Sequence, residues 1–151
     1  MIIGVISDTH GKLTKHALDA LRGSNVIFHA GDVGSPEIIR ALEKIAAVYP
    51  VRGNTDRGIW AQTLPMTQMV ELGGRTFYVL HDIGSLSTNL KTAEVDVVIY
   101  GHSHIPKEER QGGILYFNPG SAGPKRFRLP ACLGKIKISE AELITEWIDL
   151  D

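Results

Sequence analysis

Met1-Ile2-Ile3-Gly4-Val5-Ile6-Ser7-Asp8-Thr9-His10 decides how this chain is read. Residues 2–7 are a continuous apolar run with β-branched side chains, as a strand buried on both faces requires. The run ends on Asp8 and His10, so a buried strand delivers two polar groups at its carboxyl end. The same arrangement recurs downstream. Val26-Ile27-Phe28 leads to Gly31-Asp32, and Ala47-Val48-Tyr49-Pro50-Val51 leads to Gly53-Asn54. Helices fit between these strands. Thr14 can cap one whose apolar face holds Ala17, Leu18 and Leu21, with Gly23 to stop it. Ser35-Pro36 reads as N-cap and first helical position of a second, which carries Ile38, Ile39, Leu42 and Ile45 at helical spacing. Strand and helix in alternation imply parallel βαβ pairing. Pro50 cannot donate to a ladder, which sends the third strand toward an edge or a bulge.

The second half changes character. Residues 68–72 and 75–80 flank Gly73-Gly74, a hairpin signal, and His81 ends its second strand. Val95 to Tyr100 is a further buried strand and runs into Gly101-His102-Ser103-His104. Ile114 to Phe117, Gly134 to Ile138 and Leu143 to Leu150 complete the set, while 84–94 reads as a poor helix. A single α/β domain follows, its pairing parallel at first and antiparallel later.

Bulk properties narrow the function classes. A chain of 151 residues, 43% hydrophobic and 22% charged, has the size and balance of one folded domain. A net charge of -1 gives no broad attraction to nucleic acid or anionic membrane. Cys132 has no cysteine partner, which fits a reducing compartment. Residues 1–8 lack a signal peptide's layout, and no apolar run approaches membrane-spanning length. A cytoplasmic enzyme or binding protein is expected.

The chemistry gathers at the strand ends, where open α/β sheets bind ligands. Four of the six histidines (His10, His81, His102, His104) lie there with Asp8, Asp32 and Asn54. In extended backbone, residues i and i+2 point the same way, so Asp8-Thr9-His10 and His102-Ser103-His104 would each aim two groups at one place. The glycines before Asp32, Asn54 and His102 permit sharp turns and close approach. Mixed carboxylate, imidazole and carboxamide donors suit borderline to hard divalent ions. Seven donors exceed what one tetrahedral ion needs and suffice for two. His16 reads as a surface residue and His29 as a supporting group behind the ligands. Trp60 and Trp147 read as packing residues, and Asn118 as support for the turn beneath the site.

Taken in order, Asp8-Thr9-His10, Gly31-Asp32, Gly53-Asn54, His81 and Gly101-His102-Ser103-His104 resemble the calcineurin-like metallophosphoesterase family. Asn118-Pro119-Gly120-Ser121 resembles its small single-domain phosphodiesterase branch. The resemblance implies two packed mixed β-sheets flanked by helices, a four-layer α-β-β-α sandwich over residues 1–151. It implies a dinuclear centre, manganese first, with iron, zinc, nickel or cobalt as alternatives. Asp8, His10 and His104 would hold one ion, Asn54, His81 and His102 the other, and Asp32 would bridge them. A metal-bound water or hydroxide would be the nucleophile, with Asn54 and His81 counted among the catalytic positions. Two dications against two carboxylates and a hydroxide leave roughly +1, which attracts a phosphate ester. Asn54 could also bind the phosphate. So could Arg126 in Lys125-Arg126-Phe127-Arg128, although a solvated basic loop or subunit contact is the weightier reading there.

Two departures from the family stand out. Larger members carry a histidine where this chain has Thr55, and threonine is a poor general acid. His81 is followed by Asp82 where glycine is common; a solvated turn residue is the default reading. The expected activity is hydrolysis of small phosphate esters, most naturally diesters, with no membrane partner and a possible homo-oligomer. The rivals are a nuclease, which the charge balance disfavours, and a non-catalytic interaction module like the retromer subunit that shares this fold.

Overall fold

The computed structural model describes residues 1–126, 128–140 and 142–151. In chain order the elements are β1 (Ile2–Ile6), α1 (Lys15–Leu21), β2 (Val26–His29), α2 (Pro36–Glu43), β3 (Ala47–Pro50), β4 (Thr67–Leu72), β5 (Arg75–Leu80), β6 (Val97–Ile99), β7 (Lys107–Gln111), β8 (Ile114–Asn118), β9 (Cys132–Ile138) and β10 (Leu143–Asp149). The strands form two five-stranded sheets, ordered β10-β9-β1-β2-β3 and β4-β5-β6-β8-β7. Each is mixed. In the first, β1, β2 and β3 run parallel while β9 and β10 add antiparallel. In the second, β5, β6 and β8 run parallel between antiparallel edges β4 and β7. The expected split into a parallel half and an antiparallel half therefore fails. The last two strands return to the first sheet, and the second has a parallel centre of its own.

Three apolar layers hold the sandwich. Ile3, Val5 and Phe28 face Phe77, Val79, Val97, Ile99 and Phe117 between the sheets. On the first sheet's other face, Ile6, Ile27 and Leu133 meet Ala17 and Leu21 of α1 and Ile38 and Leu42 of α2. This two-sided burial is why strands β1 and β2 read as unbroken apolar runs. The Thr14 side chain caps α1 by accepting from the Ala17 amide, and Pro36 opens α2 behind Ser35. On the second sheet's outer face, Tyr78, Leu80, Val98 and Tyr100 are covered by Leu86, Leu90 and Val95.

That last cover is not the expected helix. Residues 84–94 hold part of one 3-10 turn, Ile83–Ser85, followed by turns and irregular chain. Gly84 disfavours helix through its backbone freedom, Ser85, Ser87, Thr88 and Asn89 favour local side-chain bonding over helix, and Asp82 and Asn89 do accept nearby amides. The sequence reading also misses β7. All five of its residues, Lys-Glu-Glu-Arg-Gln, are exposed, so it lacks the alternation that marks a strand. Its charge suits a sheet edge. Pro50 lies at an edge as expected, since β3 pairs only with β2. No helix of the described residues is long and apolar enough to cross a membrane.

Candidate metal centre

Five parallel strands of the two sheets end at one rim of the sandwich, and each is followed by candidate ligands. Asp8 and His10 follow β1, Asp32 follows β2, Asn54 follows β3, His81 follows β5, and His102 and His104 follow β6. The side chains converge as the sequence suggests, but by different local geometry. Asp8, His10, Asp32, His102 and His104 all have positive φ, between 47° and 72°. They lie in left-handed backbone, not in the extended conformation that the i and i+2 spacing implies. Glu94 is the one other non-glycine residue of this kind among those described. Such backbone costs about 1–3 kcal/mol per residue and clusters at functional sites.

Two glycines make the convergence possible. A Cβ on Gly53 would overlap the Asp32 carboxylate, and one on Gly101 would overlap Ser7 Oγ. The ligand loops therefore touch backbone to side chain.

Each carboxylate is held by one oxygen and offers the other. Asp8 Oδ2 accepts from Ser7 Oγ at 2.8 Å and from the His102 amide at 3.2 Å. Its Oδ1 is buried with no hydrogen-bond donor. That oxygen faces Nε2 of His104 at 3.3 Å and of His10 and His81 at 3.9 Å each. Asp32 Oδ1 accepts from the Thr55 amide at 2.9 Å. Asp32 Oδ2 lies 3.3 Å from His81 Nε2 and 3.7 Å from His10 Nε2. Two groups thus gather ligand atoms within 4.8 Å of one another: Asp8, His10 and His104, and Asp8, Asp32 and His81.

The remaining pair adjoins the second group. His102 Nδ1 stands 3.2 Å from Asn54 Oδ1 and 3.3 Å from His81 Nε2. His102 turns its other nitrogen toward Asp82, 4.0 Å away, while the other oxygen of Asp82 accepts the Gly84 amide. Asp82 is thus a turn residue with its second oxygen facing His102. His81 is oriented more firmly, its Nδ1–H donating to the Ala30 carbonyl at 2.7 Å. All seven sequence candidates meet here.

The electrostatics fit a site for cations. Burial works against a charged His81 and a charged Asp32, yet each stabilises the other. The bonds from His81 and Thr55 hold the Asp32 carboxyl below its usual range. The carboxylates and the Ala30 carbonyl raise His81 above its own. A buried carboxylate oxygen without a donor, ringed by imidazole nitrogens, is expensive unless a cation sits among them. The donor set suits a divalent ion.

Around the candidate ligands stand the groups that hold them in place. His29 is fully buried; Thr9 Oγ1 donates to the Val33 carbonyl and accepts from His29 Nε2, while His29 Nδ1 accepts the Gly31 amide. Asn118 Nδ2 donates to the Gly101 carbonyl and to Ser103 Oγ beneath the last ligand loop. Trp147 stacks on Phe117 and Trp60 packs against the helix side of the core. His16 is exposed. Arg126 is exposed, its carbonyl accepting the Leu129 amide, and no described hydrogen bond or ion pair joins its side chain to the ligands. Its neighbour Phe127 lies outside the described residues. Ser7, whose hydroxyl donates to Asp8, is marked in the sequence by nothing but its place beside that residue. Asp56 carries no motif of its own in the sequence, and only the fold shows which backbone amides its carboxylate accepts.

An α/β sandwich that gathers acids and imidazoles at the carboxyl ends of its strands is the frame of a metal-dependent hydrolase. Residues 1–141 match the calcineurin-like phosphoesterase superfamily domain, and the chain belongs to that family. A probable metallophosphoesterase of Methanocaldococcus jannaschii is 34% identical, the match covering 95% of this chain and 81% of that protein. The phosphodiesterase YfcE of Escherichia coli K12 is 29% identical, covering 86% and 84%. Among solved structures, Vps29 of Entamoeba histolytica in complex with zinc shares the fold. Its TM-score is 0.78 at 21% identity, with all of both chains covered. The chain is thus an enzyme of the metal-dependent phosphoesterase class.

Proposed function

We propose that residues 1–151 form a single catalytic domain that hydrolyses small phosphodiesters with two divalent cations, manganese foremost. The observation that carries this is Asp8 Oδ1, buried, without a donor, and faced by three imidazole nitrogens. Asp8, His10 and His104 would hold one ion and Asn54, His81 and His102 the other. Asp32 would serve both, since its free oxygen lies near His10 and His81 alike. When bound, the cations would activate water and offset the charge of the phosphoryl group.

The chain's own groups do the rest. Ser7, Thr55 and the His102 amide fix the two carboxylates, so the ligands need little rearrangement. Asn54 is exposed, and its amide hydrogens are available to a phosphate oxygen. Thr55 supplies no proton to the leaving group, which favours esters whose alcohol departs unaided, such as aryl diesters. Arg126 remains a candidate only for an outer contact with the phosphate. Cys132 is buried and free, in keeping with a reducing interior, and we place the enzyme in the cytoplasm.

Chelation followed by readdition of single metals, screened over aryl mono- and diesters, tests the assignment. Activity should vanish with the chelator and return best with manganese on a diester. Undiminished turnover after chelation that demonstrably strips the protein of metal would refute it.

A further inference from the structure

We propose that Asp56 is a positioning residue that fixes the spacing between Asp32 and Asn54. The inference rests on the metal-centre assignment above, because it says what sets the geometry of that centre.

Asp32 and Asn54 stand on loops after neighbouring strands β2 and β3. Pairing between those strands ends where the Val51 amide donates to the His29 carbonyl at 3.0 Å. Beyond that point the backbones make no direct hydrogen bond to each other among those described. Asp56 joins them. Its Oδ1 accepts the Gly34 amide at 2.9 Å, from the loop of Asp32. Its Oδ2 accepts the Val33 amide of that loop at 3.2 Å and the Gly53 amide of its own loop at 2.8 Å. One carboxylate thus takes three amides from the residues flanking both ligands.

No cation in a described salt bridge faces Asp56, though it is only 6% exposed. Its charge is met by oriented backbone dipoles, as in an anion-binding loop, and here the anion belongs to the protein. The loop then closes over Asp32 from the other side. The Thr55 amide, one residue before Asp56, donates to Asp32 Oδ1 at 2.9 Å. Gly53 lacks the side chain that would collide with the same carboxylate. Asp32 is therefore enclosed by residues 53–56, and Asp56 is the group that anchors this enclosure to the backbone after Asp32. Releasing it lets Asn54 move relative to Asp32. Asp8, His10 and His104 lie on other loops and keep their places.

The test compares wild type with Asp56→Asn, which keeps the shape but turns an amide NH2 against at least one of the three N–H donors. Manganese(II) titration by calorimetry should show two sites in the wild type. In the variant the weaker site should lose about 10–100-fold in affinity while the tighter one stays within about threefold. Asp96→Asn is the control. Asp96 accepts the Thr76 amide at 2.8 Å, remote from the ligands, so its loss should lower melting temperature without changing manganese affinity. Should Asp56→Asn fail to fold, Asp56→Glu keeps charge and acceptors but lengthens the reach, and it too should lower affinity at the weaker site.

A second readout needs no metal. In metal-free protein, hydrogen exchange at the Val33, Gly34 and Gly53 amides should quicken at least tenfold more than at core amides. A wild type that binds no manganese would sink the metal-centre assignment and leave the brace to be judged by exchange. Two wild-type sites with unaltered affinities in both Asp56 variants, or unchanged exchange at those three amides, would overturn the brace.

Discussion

The two halves of the candidate centre differ in how far the protein has finished them. Around Asp8, His10 and His104 the fold is closed: Asp8 is fully buried, His104 nearly so, and backbone and hydroxyl donors lock the carboxylate. Around Asn54 and His102 it is open, with the His102 side chain 46% exposed and Asn54 facing solvent. His81 and Asp32 lie buried between them. Closed coordination favours retention of an ion, and open coordination leaves room for exchange and for substrate. On the proposed assignment the inner half would be a permanent fixture and the outer half the working face.

The sharpest way to break that comparison is to remove one ligand from each half. Asp8→Asn preserves shape and the Ser7 bond but deletes the charge that three imidazoles face. It should reduce turnover at least about a thousandfold, a barrier increase of about 4 kcal/mol, and abolish tight manganese binding. Metal-free Asp8→Asn should melt no lower than metal-free wild type, because an uncompensated buried charge has been removed. His102→Ala should cost roughly a hundredfold in turnover and leave one manganese bound. If His102→Ala empties both sites, or Asp8→Asn retains the tight one, the halves are not distinct. Calorimetry and thermal melts of stripped protein read both outcomes.

Acid offers a second cut, through the packing behind the inner half. Burial pushes His29 down to about 4, with nearby carboxylates opposing only in part. In the fold it is neutral, donating to Thr9 and accepting from Gly31. Its folded value lies below its unfolded value of about 6.5, so the unfolded chain takes up the proton first. The contribution to stability is complete above about pH 6.5 and is lost as pH falls toward 4, by up to about 3 kcal/mol. Urea denaturation of metal-free protein should show this slope between pH 6.5 and 4.5, and His29→Gln should flatten it. Identical slopes would show that the proton goes elsewhere.

What the sequence disclosed follows from which features are periodic or local. Apolar runs ending on acids and histidines were legible because strands β1 and β2 are buried on both faces. The candidate ligands stood out because each sits just past such a run. Strand β7 was hidden because an edge strand with no buried face carries no alternation. The cover over residues 84–94 was misread because Leu86 and Leu90 mark burial without saying what backbone bears them. The left-handed residues were invisible for a deeper reason. Asp8, His10, Asp32, His102 and His104 are not glycine, and their backbone is imposed by contacts from loops far away in sequence. Asp56 belongs to the same class, its partners lying up to 23 residues distant.

The smallest effect, and the one that best separates the working face from the fixture behind it, concerns Thr55. Its amide is tied to Asp32 while the residue itself is exposed beside Asn54, on the open side. A side chain placed here can act on a departing alcohol without disturbing the inner ligands. The native hydroxyl has far too high a pKa to protonate that alcohol. Rates should therefore fall steeply as the leaving group becomes more basic. Thr55→His should flatten the dependence, with about a tenfold gain on alkyl esters and little change on nitrophenyl esters. That gain corresponds to about 1.4 kcal/mol, a modest share of what a positioned acid can supply. The tight manganese affinity should be unchanged, since the backbone bond to Asp32 is retained. A native enzyme equally fast across the leaving-group series, with chemistry limiting, would mean that another group protonates the alcohol and that the open half is more complete than it looks.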